Sequence, residues 1–403
     1  MNLELKKAFR RQRGTVLLLV AWILLIMGGV AFFLLYRSGA EWAAVNSFSR
    51  RMRLQEIARA RLLDCIVALN ADKTDSDDKN DDWYFGGRID EERDGAKITV
   101  LIEDEGSKPN INYISYFPNL EVFVPNEIST DPLIDWLDRN EEPLTNGAEN
   151  SYYQGLTPPY KARNGFLSSL EELHEIKDGD KLYPKLAPEF TVFGKADPNI
   201  INGDTFTTLL YSHGFDKGSI EKMAAFFSSV AGKGVEKAHF FINADDFVGR
   251  LDVSLLEKEQ LKTLFRFDGF CNVNFISLKG LQFLLMETGI SKDFAKPIIE
   301  TRDKQPFKNL DDVKNMIVSQ AGNRFQPILG DYYTVVSTVI RYKIWVTYKD
   351  SVYYLDTVWE RNPVTNAKPK WQSHPLSWRF LLNDEAPVIP EKEEQEANNE
   401  GQQ

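Results

Sequence analysis

Residues 11–36 read RQRGTVLLLVAWILLIMGGVAFFLLY, and this stretch decides where the rest of the chain lies. From Thr15 to Tyr36 no side chain is charged. At about 1.5 Å per residue, such a run crosses a hydrocarbon layer of about 30 Å as one helix. Lys6, Lys7, Arg10, Arg11 and Arg13 precede it. A basic flank of this kind stays on the cytoplasmic side, so everything after Tyr36 is expected across the membrane. A secretory signal peptide also opens with basic residues, but its apolar core is shorter and a small-residue cleavage site follows it. Here the core is full length and the basic-plus-glycine junction comes before it. The helix also runs on. Ser38–Asn70 contains no proline and sets Leu54, Ile57, Arg61 or Leu62, Cys65 and Leu69 at helical spacing, which predicts an amphipathic second half.

The chain of 403 residues carries a net charge of −11. Its basic leader masks part of that, so the portion beyond the membrane is more acidic still. A strongly acidic surface argues against nucleic acid as a partner. Cys65 and Cys271 are the two cysteines; they either pair in an oxidising compartment or fill small apolar sites. His174, His213, His239 and His374 are scattered, and with two lone thiols they make no zinc-ligand spacing. Ser212-His213 lies near Asp216, but sequence adjacency does not build a triad. No glycine-rich loop follows a strand in a nucleotide-binding pattern. The sequence therefore holds no catalytic constellation, and a non-enzymatic role is expected.

Beyond the long helix, the aspartate-rich stretch Asp72–Asp82 reads as a solvated linker. Trp83–Asp90 and Ala96–Glu103 read as two strands joined across Arg93-Asp94-Gly95, a hairpin signal. Two strands alone are marginal. Their missing neighbours come at the far end, in Tyr332–Tyr348, Val352–Glu360 and Trp371–Leu382. The expected class is α+β: a long N-terminal transmembrane helix packed on an antiparallel sheet, with a large helical insertion. Its parts are a leader at 1–14, a membrane helix at 15–36 and its continuation at 37–70. A sheet from 83–103 and 331–382 is split by an inserted helical domain at 104–330, and an acidic tail at 384–403 is too polar to fold.

The insertion echoes itself. Asn110-Ile-Asn-Tyr-Ile-Ser115 matches Asn272-Val-Asn-Phe-Ile-Ser277, and Phe166-Leu-Ser-Ser-Leu-Glu-Glu-Leu173 matches Pro306-Phe-Lys-Asn-Leu-Asp-Asp-Val313. Two copies of one helical unit are expected, each with an Asn/Ser-capped helix start. A weaker third trace, Pro198-Asn-Ile-Ile-Asn-Gly203, precedes the stretch 205–267, to which the sequence assigns no role.

One loop offers chemistry. Asp138, Asn140, Glu142, Leu144, Asn146 and Glu149 fall at positions one, three, five, seven, nine and twelve of a twelve-residue loop. That is the spacing of an EF-hand, with a backbone carbonyl at Leu144 and a bidentate carboxylate at Glu149, and it predicts a Ca2+ site. Position six is Pro143 where the sharp turn usually takes glycine, so the EF-hand path cannot be followed throughout.

Arg13-Gly14 ahead of an apolar run resembles the prepilin leader of type IV pilins and type II secretion pseudopilins. That resemblance implies cleavage after Gly14 by a prepilin peptidase and N-methylation of Thr15. The family usually has glutamate at the fifth mature position, which here is Leu19. K-type minor pseudopilins characteristically lack that glutamate, so Leu19 marks a tip position. Glu103-Asp-Glu-Gly106 with Asn110 and Asn112, Asp135-Trp136-Leu-Asp138, Gly147-Ala-Glu149 and Tyr152-Tyr153 follow the K-type order, as do Ala162-Arg-Asn164 and Glu171-Glu-Leu173. The resemblance thus implies a pilin-like fold carrying SAM-like, helix-hairpin-helix units and a calcium site. It implies a non-enzymatic pseudopilus tip subunit of a Gram-negative inner membrane, with its N-terminus cytoplasmic and its bulk periplasmic. Its implied partners are I- and J-type minor pseudopilins, the prepilin peptidase and membrane lipids. The alternative is an adhesin-like or substrate-recruiting minor pilin of a related machine.

Overall fold

The computed structural model describes residues 3–113, 117–230, 241–322, 332–364 and 370–391. Helix α1 (Leu3–Ala71) is a single helix of 69 residues, about 100 Å long. It is the one helix among the described residues that is long and apolar enough to cross a membrane. Its apolar side chains from Val16 to Phe48 are exposed, whereas Leu54, Ile57, Ala58, Leu62, Cys65, Ile66 and Leu69 are buried. The buried set recurs every three or four residues and packs on Ile98, Val100, Ile102, Ile340, Tyr342 and Ile344.

Strands β1 (Arg88–Arg93) and β2 (Ala96–Asp104) form the hairpin. Asp94 and Gly95 both take positive φ, 53° and 74°, as a type I′ turn requires. The first strand begins at Arg88, not at Trp83. Phe85, Gly86 and Gly87 are all left-handed (φ 52°, 66° and 80°), and no strand runs through three such residues.

The insertion carries α2 (Asp131–Leu137), α3 (Asn150–Tyr153), α4 (Gly179–Leu186), α5 (Gly203–Ser212) and α6 (Lys217–Val230). These are followed by α7 (Ala244–Gly249), α8 (Leu255–Leu264), β3 (Cys271–Asn272), α9 (Leu278–Glu287), α10 (Ala295–Lys304), α11 (Leu310–Ala321) and β4 (Tyr333–Thr334). Then come β5 (Val339–Tyr348), β6 (Ser351–Pro363) and β7 (Trp371–Leu382). The main sheet has the order β1-β2-β5-β6-β7, every neighbour antiparallel. The chain is therefore α+β, a long apolar helix on an antiparallel sheet. Tyr332–Tyr348 is not one strand: β4 pairs in parallel with β3 of the insertion, and β5 starts only at Val339.

Within the insertion one hydrogen-bond device occurs three times. Asn112 Nδ2 donates to the Leu167 carbonyl (3.0 Å) while its Oδ1 accepts from Leu167 N–H (2.8 Å). Asn274 makes the same pair with Phe307 (2.9 Å each), and Asn199 makes it with Phe241 (3.0 and 2.9 Å). Asparagine carries one donor and one acceptor in the spacing of a backbone amide, so each side chain joins two distant chain segments as a strand would. Two residues before each clamp, Asn110, Asn272 or Asp197 accepts the clamp's own N–H. Two residues after each clamped residue but the first, Asn243 and Asn309 cap α7 and α11. The stretch 205–267 thus sits in a unit that repeats this device.

The first and third units share one core, from Ile111 to Phe190 and from Cys271 to Val335. The second unit has its own, built on Phe206, Phe227, Phe247 and Phe265. Phe206 and Phe227 stack at 4.3 Å.

The linker expected to be solvated is instead a junction. Ser76, Asp77 and Asp78 are buried. Asp77 Oδ1 accepts from Trp83 Nε1 (2.9 Å), and its Oδ2 accepts from Ser337 N–H (2.7 Å) and from Arg361. Its backbone carbonyl accepts from Asn272 and Asn274 Nδ2 (3.1 and 3.0 Å). One aspartate therefore ties the segment after α1 to the third unit and to β6. Four of these five donors lie 195 to 284 residues away, which is why composition alone misreads it.

Residues 384–391, read from composition as the start of a free tail, lie on the sheet face opposite α1, beside Leu101, Trp345 and Tyr354. Trp345 Nε1 donates to Pro387 O (2.8 Å) and Arg88 Nη1 to Pro390 O (2.7 Å). The remainder of that tail, 392–403, lies outside the described residues. Cys65 and Cys271 are both buried and unpaired with each other.

Candidate metal centre

Helix α2 has Pro132 in its first turn and ends at Leu137; the next residue, Asp138, caps it, its N–H still reaching Ile134 O (2.9 Å). Asp135 and Asp138 are three apart and so share one face of that helix. Glu149 lies just before α3. The loop between them folds back around Asp135, whose carboxylate accepts from Leu144 N–H (3.2 Å to each oxygen). Gly147 is required at this approach, because a Cβ there would lie 1.8 Å from Asp135 Oδ2.

As a result Asp135, Asp138 and Glu149 bring one carboxylate oxygen each within 4.8 Å of one another. Of the residues selected by spacing, Asp138 and Glu149 belong to this convergent set. The others have different engagements. Asn140 Oδ1 accepts from Glu142 N–H (2.7 Å), and the Leu144 carbonyl accepts from Gly147 N–H (3.0 Å). Asn146 donates through its backbone and side-chain nitrogens to Asp131 Oδ2 (2.9 and 3.3 Å), and Glu142 is exposed. Loop spacing does not select Asp135. The signal for it is helical: in Asp135-Trp136-Leu-Asp138 two carboxylates sit at i and i+3.

The support around the loop is polar and local. Asn164 Nδ2 holds Asn140 O (3.0 Å), and Lys177 Nζ holds the carbonyls of Asn146 and Gly147 (3.0 and 3.1 Å). Asn150 Oδ1 accepts from Ala162 N–H (2.8 Å). Below it, Trp136 meets Tyr153 edge-on at 5.1 Å.

The electrostatics are those of a site short of positive charge. Glu149 is 2% exposed, and neither of its carboxylate oxygens has a hydrogen-bond partner. Burial, then the charges of Asp138, Asp135 and Glu141, push its carboxyl up to about 7. Burial also raises Asp135 and Asp138, with the charge of Asp131 adding at the first and that of Asp135 at the second. A buried carboxylate with both oxygens orphaned costs free energy unless a proton or a cation satisfies it. An all-oxygen set of three carboxylates suits a hard divalent cation such as Ca2+ and not zinc.

The remaining sequence-selected positions lie on α1. Gly14 and Thr15 fall within its helical backbone, and Leu19 is 61% exposed with its neighbours. Ser212 Oγ and His213 Nδ1 are 3.1 Å apart, but Asp216 accepts from the N–H groups of Gly218 and Ser219 instead of meeting them.

Residues 120–195, which contain this loop, match the family described as Type II secretion system (T2SS), protein K. The Type II secretion system protein K of Aeromonas hydrophila is 41% identical over 61 residues, 15% of this chain and 18% of the relative. That of Pectobacterium carotovorum subsp. carotovorum is 26% identical over 223 residues, 49% of this chain and 67% of the relative. That of Klebsiella pneumoniae is 26% identical over 202 residues, 44% and 62%. The chain thus spans about two thirds or less of the length of these relatives. The crystal structure of the GspK-GspI-GspJ complex from the enterotoxigenic Escherichia coli Type 2 Secretion System aligns with 83% of this chain and 98% of that chain, at TM-score 0.48 and 11% identity. Over residues 120–195, and more weakly over about half of its length, the chain is thus similar to proteins described as type II secretion system protein K.

Proposed function

We propose that this chain is a non-enzymatic minor pseudopilin at the tip of the type II secretion pseudopilus, where it helps to start assembly. The observation that carries the tip position is Leu19. Its surroundings on α1 are exposed and apolar from Val16 to Tyr36, with no carboxylate to pair with a subunit above. A carboxylate there with no partner would cost several kcal/mol in the bilayer. The insertion supports the same place, since three helical units on one sheet leave little room beneath a neighbour.

The partners proposed are I- and J-type minor pseudopilins, which would meet the exposed side of α1, and a prepilin peptidase acting between Gly14 and Thr15 at the inner membrane. Intact-mass measurement of the protein from cell membranes tests the reading. The expected species starts at N-methylated Thr15; a species retaining Met1 overturns it.

Asp135, Asp138 and Glu149 would hold one Ca2+, which when bound supplies the positive charge that the two orphaned Glu149 oxygens lack. Asp135 positions the loop through Leu144 N–H, and Gly147 keeps the approach open. Free calcium a hundredfold above its dissociation constant adds about 2.7 kcal/mol of stability. Thermal melting of the full-length protein in detergent, with calcium and with chelator, should show that gain for the wild type and lose most of it in Glu149→Gln. Equal melting temperatures in the wild type would remove the metal from this reading.

A further inference from the structure

The candidate metal loop does not face solvent alone. Arg139, next to Asp138, sets its guanidinium carbon 3.7 Å from the ring centroid of Tyr211. Tyr211 is on α5, which belongs to the second helical unit with its separate core. Asp204 lies seven residues before Tyr211 on the same helix, hence on the same face two turns away. Asp204 is exposed, and its negative charge is felt by the Asp138 carboxyl. An attractive contact and a repulsive one therefore meet at one joint: a cation over an aromatic face, and a carboxylate whose charge acts on Asp138.

We propose that the metal loop is a charge-operated joint, in which a divalent cation on Asp135, Asp138 and Glu149 locks the second helical unit, through Asp204 and Tyr211, onto the first. This rests on the calcium reading of the site and adds what that site controls. Without the cation, Asp204 meets like charge at the loop, and the Arg139–Tyr211 contact must hold against it. With it, the three carboxylates and the cation together carry one negative charge in place of three, so the repulsion at Asp204 falls and the Arg139–Tyr211 contact holds with less opposition. Linkage is reciprocal: if calcium tightens the joint, a joint already tightened must bind calcium more strongly.

The test uses full-length protein in detergent and calcium chloride as the probe. Titration calorimetry compares the wild type with Asp204→Asn, Tyr211→Ala and a control, Asp252→Asn, which removes an exposed charge of the same unit that lies outside α5. Spin labels on Lys161→Cys and Lys222→Cys report the distance between the units, since both positions are exposed while Cys65 and Cys271 are buried. Calcium should narrow that distance distribution relative to chelator. Asp204→Asn should weaken calcium binding about threefold to tenfold, the scale of one partly screened unit charge nearby, and Asp252→Asn should leave it unchanged. Calcium binding with an identical distance distribution in chelator overturns the joint while sparing the metal site, and so does unchanged affinity in both Asp204→Asn and Tyr211→Ala. A wild type that takes up no calcium overturns both.

Discussion

Asp77 shows how much one side chain in this chain can hold. It accepts from Trp83, Ser337 and Arg361 through its carboxylate and from two asparagines through its carbonyl. Arg361 is fully buried, lies 4.3 Å from the centroid of Trp371, and donates Nε to Ser337 O (2.6 Å). Removing a partner from a buried charge costs about 3–5 kcal/mol. Asp72 remains beside Arg361 at 3.1 Å, so Asp77→Ala should fall near the lower end of that range, about 3 kcal/mol, in urea denaturation of the full-length protein. Glu149 gives the second prediction at this scale. In the metal-free protein its carboxyl is raised from 4.5 to about 7, so folding is favoured by the proton. That stability is complete below the ordinary glutamate value and is lost as pH rises through about 7. Calcium needs the ionised form. The difference between melting temperatures with calcium and with chelator should therefore grow from about pH 5 to about pH 8, and a flat difference would mean that Glu149 is not a ligand. Taking the difference cancels Asp104, whose carboxyl burial also pushes up to about 7.

At the scale of elements, the three asparagine clamps make each helical unit answerable to one residue. Each clamp is two hydrogen bonds, and truncating it strands a buried backbone N–H and a carbonyl, a loss of about 2 kcal/mol. The units differ in what that loss spreads to. The first and third share a core, whereas the second has its own. Asn199→Ala should therefore raise amide exchange through α5–α8 while leaving α1 and the sheet protected, as local opening of one cooperative unit. Exchange that rises equally in β5 and β6 would show that the second unit is not separable. The elements are legible in the sequence to different depths. Helix α1 is plain, because a run without charge followed by an amphipathic stripe has one solution. The second unit's clamp is faint, because Asn199 follows Pro198 and the partner segment at Phe241 has Ala244 ahead of its acidic pair where its counterparts have leucine. Asp77 escapes a local reading because most of its partners lie far off in sequence, and Asp135 escapes a loop-spacing reading because its place in the site comes from a helix face shared with Asp138.

For the whole molecule, what matters is how the chain threads three cores in series. The α+β class follows from the order of strands at both ends of the chain. The depth of the junction beneath the insertion does not, since it is made by long-range hydrogen bonds between polar residues. That threading has a practical side. The chain goes into the second unit at Ala196 and comes out at Arg266, and Arg266 N–H donates to Ala196 O at 2.9 Å. The chain therefore enters and leaves the unit at two neighbouring backbone positions, in the manner of a plug in a socket. A folded reporter whose own termini lie side by side, grafted between Ala196 and Arg266, should leave the melting transition of the host within about 4 °C, the shift that about 1 kcal/mol produces in a domain of this size. A fall of tens of degrees would mean that the socket needs its plug.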